Sequence, residues 1–217
     1  LDANTTAAYN VAVGYAALTA NTTGAQNTAV GSSVGASITT GSYNVAMGVD
    51  TLSTLSTGDN NTALGKGALA AATTSDDNTA VGKDALAANT TGTENSALGT
   101  SALATNTTGR ENDASGRKAL FANTTGSYNT ASGATALAAN TTASYNTAHG
   151  YRVLYGNTTG DHNVGMGYHA LHANTVGDRS VAIGGNTLRL QNPASNTDMY
   201  NVAVGYDAGQ TVTTGVQ

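Results

Sequence analysis

Apolar and polar positions along this chain recur every 17 residues. With Asn10 as position 0, the run Asn-Val-Ala-Val-Gly begins a pattern that restarts at Asn27, Asn44, Asn61, Asn78 and Asn95. It continues through Asn112, Asn129, Asn146 and Asn163 to Ser180 and, after four extra residues, resumes at Asn201. Position 1 is mostly Thr or Val, position 2 is Ala except at Gly165, and position 3 is usually Val, Leu, Met or Ile. Position 4 is always Gly. Small and β-branched residues in alternation, ended by Gly, predict a short strand and a turn that needs positive φ or close backbone approach. Position 8 is Leu in most repeats, as at Leu18, Leu69 and Leu154, with Gly35 and Gly209 as exceptions, and the run predicts a second strand. Ala-Asn-Thr-Thr-Gly, as in residues 20–24 and 122–126, then closes the repeat with turn chemistry. A helix through residues 68–72 has the propensity but not the length to nucleate between turn residues.

Two strands of about five residues and two turns per repeat make one circuit of a parallel β-solenoid, rising about 4.8 Å per coil. The fold expected is all-β, a single array over residues 1–217 of about twelve coils, with the four-residue insertion within residues 185–200. That insertion holds the only proline, Pro193, and is expected to interrupt the stack as a protruding loop. The chain starts in mid-repeat and stops just before the next Asn is due, so a fragment of a longer chain is expected. Identical residues stack as ladders in such a fold, and the Asn column is expected to hydrogen-bond to its own copies above and below.

Position 3 carries the clue to assembly. It reads Val13, Val30, Met47, Leu64, Val81 and Leu98, then Ser115, Ser132 and His149, then Met166, Ile183 and Val204. Hydroxyl and imidazole groups inside a closed one-chain core would each need a partner. On a symmetric axis, three copies of Ser115, Ser132 or His149 share waters or an anion. The column is therefore expected at a trimer interface, with the Ala and Leu columns filling each coil; the alternative is that the column simply points to solvent.

Composition narrows this picture. With one Phe, no Trp and no Cys, neither a large aromatic core nor disulfides or thiolate metal sites support the fold. The net charge of -5 is spread along the chain, so no electrostatic footprint for nucleic acid is read, and no stretch is apolar enough for a membrane helix.

The motifs at residues 27–31 and 180–184 resemble the head repeats of trimeric autotransporter adhesins. Tyr43-Asn44, Tyr128-Asn129 and residues 201–206 are similar to repeats of phage tail fibres and related surface proteins. The likeness covers nearly the whole chain. It implies a homotrimer of left-handed parallel β-rolls, outside a cell or on a virion, contacting a glycan or protein of a host surface or matrix. A non-adhesive extracellular filament subunit is the alternative, and an ice-binding solenoid is disfavoured because the steadiest Thr pairs lie on turns.

Catalysis is not expected. His169 and His172 are read on opposite faces of a strand and so as no metal site, Ser is positionally equivalent everywhere, and the Gly residues do not cluster as a phosphate loop. No cofactor is implied. Asn-x-Thr sequons occur at Asn4, Asn21, Asn60, Asn89, Asn106, Asn123, Asn140 and Asn157; most fall on the turn, which is expected to be exposed and so sterically open to glycosylation, although turn chemistry alone selects Asn and Thr there and is the preferred reading. Tyrosines beside the Asn and after the Gly suit carbohydrate or protein contact, because each offers a flat apolar ring and a hydroxyl.

Overall fold

The computed structural model describes residues 2–214. It is an all-β parallel solenoid with no helix among the described residues, and hence none long and apolar enough to cross a membrane. Twelve three-residue strands, from Val11–Val13 to Val202–Val204, form one parallel sheet in chain order. Their register superimposes like positions throughout: Ala12 lies beside Ala29, Ala46 beside Ala63, Ala131 beside Ala148.

The strand residue at position 2 points inward and those at positions 1 and 3 point outward. Ala29, Ala63, Ala97 and Ala131 are fully buried or nearly so, as are the Leu residues at position 8 and the small residues at position 7. The Ala and Leu columns do fill each coil, and they join in one continuous apolar core.

The second strand does not form. In its place each coil runs through turns in which positions 6 and 8 are left-handed: Leu69, Leu86, Leu103 and Leu120 all have φ of 50°. An L-residue there costs roughly 1–2 kcal/mol. Full burial of a Leu side chain returns about as much or more, so the apolar column holds the backbone in a conformation that Leu otherwise avoids. Coil-to-coil hydrogen bonds persist through this segment: the Leu86 N–H donates to the Ala102 carbonyl at 3.0 Å and the Ala88 N–H to Ala104 at 3.0 Å. Position 4 Gly, at φ between 116° and 143°, makes the other corner.

Two Asn ladders hold the coils in register. At position 0, Asn95 Nδ2 donates across its own coil to the Gly109 carbonyl (2.9 Å), while its Oδ1 accepts from the Asn112 backbone N–H (3.1 Å) and Asn112 Nδ2 (3.0 Å). The second ladder, at position 11, was not anticipated. Asn106 Nδ2 donates to Asn89 Oδ1 (2.8 Å) and to the Gly109 carbonyl (2.9 Å). Ile38, Leu55 and Ala72 replace Asn in this second column.

The insertion does not interrupt the sheet, because Val181–Ile183 pairs directly with Val202–Val204. Gln191 takes over the place of a ladder Asn, donating to Asn174 Oδ1 (3.2 Å) and accepting from Asn201 Nδ2 (2.7 Å). Residues 194–198 loop outward between buried Pro193 and Met199, with Thr197–Asp198 paired to Gly177–Asp178.

Candidate functional site

The expected exposure of the sequon turn does not hold at six of the eight positions. Asn21, Asn89, Asn106, Asn123, Asn140 and Asn157 are fully buried, since they are the second ladder itself. A glycan on any of them would pull its amide out of that ladder. Only Asn4 and Asn60 of the eight sequons are exposed.

The Thr columns beside the ladder differ from each other. Position 12 hydroxyls are spent between coils, as in Thr90 Oγ1 to the Thr107 carbonyl and Thr107 Oγ1 to Thr124. Position 13, from Thr23 to Thr159, is the exposed rank. The result is a single file of free hydroxyls, whereas a surface matched to ice requires a two-dimensional array.

Two outward faces stand apart from this polar turn. The first is the outer side of the sheet. Val13 is 57% exposed, Met47 52% and Val204 67%, and Leu98, Met166 and Ile183 are also exposed. In the middle of this stripe Ser115, Ser132 and His149 stand in register on three adjacent strands. They point outward, so none has to be satisfied within the coil. Position 1 adds Val45 and Val202 to the same exposed face.

The second is the edge formed by positions 5, 6, 9 and 10. Of the eight Lys and Arg residues, Lys66, Lys83, Arg117, Lys118, Arg152 and Arg189 lie on it, leaving Arg110 and Arg179 elsewhere. From Thr100 to Leu190 these outward columns contain no carboxylate. Charge that is evenly spread along the sequence is thus sorted in space by the 17-residue wrap. The acids gather across the coil, where Asp161 N–H donates to Asp178 Oδ1 at 2.8 Å and Asp59 N–H to Asp76 Oδ1 at 2.8 Å. Burial, together with Asp161 and Asp198, pushes the Asp178 carboxyl above its usual range.

His169 and His172 lie on the same side of the chain, with ring centroids 4.6 Å apart, contrary to the strand-based expectation. His169 sits in a left-handed turn at φ 57°, where period-two alternation does not hold. Tyr155 stacks on His172 at 5.3 Å, Tyr168 on His169 at 3.9 Å, and Arg152 lies over Tyr151 and Tyr155 at 5.3 and 5.2 Å. Burial, and then the neighbouring positive groups, push both imidazoles below the usual histidine range, so both are neutral at pH 7. Among the described residues, no three His or acidic side chains are grouped to hold a metal ion.

A third aromatic feature runs along position 16, where Tyr128, Tyr145 and His162 stack at 4.9 Å between successive centroids. All three are exposed. Sequence reasoning found these tyrosines but missed the cationic edge; setting the repeats in columns reveals it, because Lys66, Lys83 and Arg117 then share one position.

Compared with protein-family models, with curated proteins and with solved structures, the chain matches none.

Proposed function

We propose that this chain is a segment of an extracellular fibre, built from three identical copies that meet along the outer side of their sheets, and that it serves a structural and adhesive role. The observation that carries the reading is the apolar stripe of position 3. It runs the length of the sheet, from Val13 to Val204, and is broken only at Ser115, Ser132 and His149. Apolar patches of this extent mark surfaces that are covered by another chain. Three copies around an axis cover all three stripes at once, and the polar interruption sits where three hydroxyls or imidazoles share water. The adhesive part of the reading rests on the exposed tyrosines and on the cationic edge, both of which lie outside the stripe.

The absence of cysteine makes the arrangement testable with a single introduced thiol. In the proposed trimer Ser132→Cys brings one thiol per chain to the axis, and a disulfide there requires the Cα atoms of two chains to lie within about 7 Å. Mild oxidation is expected to give disulfide-linked pairs in high yield, with every third chain left as a free thiol. Thr125→Cys, on the exposed turn, stays unlinked under the same treatment. No linkage at Ser132→Cys, or equal linkage of the two variants, would defeat the proposal.

A further inference from the structure

Within the cationic edge lies a groove of about 390 Å³ spanning three consecutive coils. Its shape follows from the column at position 9, which reads Phe121, Ala138, Tyr155. Two rings two coils apart are about 9.6 Å from centre to centre at the rise of a parallel sheet. The small Ala138 methyl between them leaves a slot between the two aromatic side chains, in a groove large enough to take a sugar ring. Arg117, Lys118 and Arg152 line the same groove.

The groove's cations have no carboxylate partner among the described residues. Among the described residues the only ion pairs are Lys83 with Asp84 and Arg179 with Asp198, so Arg117, Lys118 and Arg152 face no carboxylate. Lys118 and Arg152 lie instead over rings that border the groove, Lys118 5.1 Å from the Phe121 centroid and Arg152 5.2 Å from that of Tyr155. Six buried side-chain nitrogen or oxygen atoms among the described residues make no hydrogen bond within the chain; four of them are Arg152 Nε, His169 Nε2, His172 Nε2 and Arg189 Nε. All four belong to the groove or to the two coils that follow it. Buried polar atoms are normally satisfied. Of these residues Arg152 lines the groove, and its guanidinium is the group an anionic ligand would meet there.

We infer that this groove binds an acidic glycan, one whose sugar ring carries a carboxylate or sulfate. The sugar ring sits in the slot above Ala138, bordered by Phe121 and Tyr155, and the acid group is taken by Arg152 in the paired geometry that a guanidinium offers a carboxylate or sulfate. Arg117 and Lys118 hold the neighbouring acid group. A short oligosaccharide is favoured over nucleic acid, because the groove itself covers three coils with three cations and the opposite edge of the solenoid carries acids, whereas strong phosphate-backbone binding needs a longer uninterrupted track. The inference rests on the adhesive part of the function proposed above and names its ligand.

Titration calorimetry of the chain with a heparin-derived hexasaccharide, and with a neutral hexasaccharide as control, tests it. One saturable site per chain is expected for the acidic sugar and none for the neutral one. Arg152→Gln is expected to weaken binding at least tenfold and Phe121→Ala at least threefold, whereas Phe121→Tyr retains it. Lys66→Gln, which removes a cation of the same edge outside the groove, should change affinity less than twofold. Circular dichroism confirms that each variant is folded. No binding by the unaltered chain, equal binding of the neutral sugar, equal loss in Lys66→Gln and Arg152→Gln, or tighter binding of an oligothymidylate of equal charge would each overturn the site. The groove is built within one chain, so a monomer that binds keeps this site and refutes the trimer, while a trimer that does not bind does the reverse.

Discussion

Gly116→Ala is expected to lower stability by at least about 3 kcal/mol, and the melting temperature by roughly 6–12 °C, from two causes acting together. Gly116 has φ of 139°, outside the region that residues with a Cβ adopt, and a methyl group there would lie 2.6 Å from the Gly133 carbonyl oxygen and 3.0 Å from the Ala134 nitrogen. Both contacts are backbone, and both belong to the next coil, so neither can move without parting the stack. Gly67→Ala supplies the contrast. Its φ of 70° is ordinary left-handed geometry, and the nearest atom to an added methyl is the terminal Oδ1 of Asp84, which swings aside. Other coils already place Ala16, Ser33 and Ser101 there, at φ of 55°, 57° and 58°. A loss below about 1 kcal/mol is expected. Thermal unfolding followed by circular dichroism compares the two, and equal losses would show that coil contact at position 4 is not what demands glycine.

The two Asn ladders are expected to differ as sharply. Asn95→Leu removes the acceptor of the Asn112 backbone N–H and of Asn112 Nδ2, and removes one donor to the Gly109 carbonyl. A buried N–H is left without a partner, next to an amide with one bond fewer, and the added apolar volume has no cavity to fill. The cost expected is about 3 to 5 kcal/mol. Asn106→Leu breaks only side-chain bonds of its ladder, because no backbone N–H depends on its Oδ1, and the Gly109 carbonyl keeps Asn95 as donor. The chain already contains such a junction: Ile38 follows Asn21 in the second column, and Asn21 Oδ1 lacks a partner there. A cost of about 1 to 2 kcal/mol is expected for Asn106→Leu. Denaturant titration of the two variants measures the difference, and a first-ladder variant no worse than the second would remove the backbone N–H as the reason for Asn at position 0.

These contrasts show which features of the fold are legible in sequence. The period, the inward Ala and Leu columns, the Asn column at position 0 and the Gly corner follow from spacing alone, because stacking in a solenoid repeats each local choice at every coil. Leu86 and its equivalents mislead for a physical reason. Their residue type argues for a strand, while their left-handed backbone is imposed by the need to bury the side chain within a narrow coil. The error at Leu86 carries over to His169 and His172, since strand alternation separates them and the left-handed turn brings them together. Asn106 misleads in a different way: Asn-Thr-Thr-Gly is the chemistry of an exposed turn, yet the amide is drawn inward by a carbonyl three residues ahead and by the amide of the coil before. The groove between Phe121 and Tyr155 depends on Ala138 being small, a gap that exists only once the coils are stacked.

The stripe from Val13 to Val204 bears on assembly, and assembly is what the functional account stands on. Light scattering of the purified chain over a series of dilutions measures it most directly. The account predicts a mass near three times the chain mass of 21.4 kDa, holding constant on dilution. A well-folded species at a single chain mass would contradict it, and would leave Ser115, Ser132 and His149 as residues of an open surface.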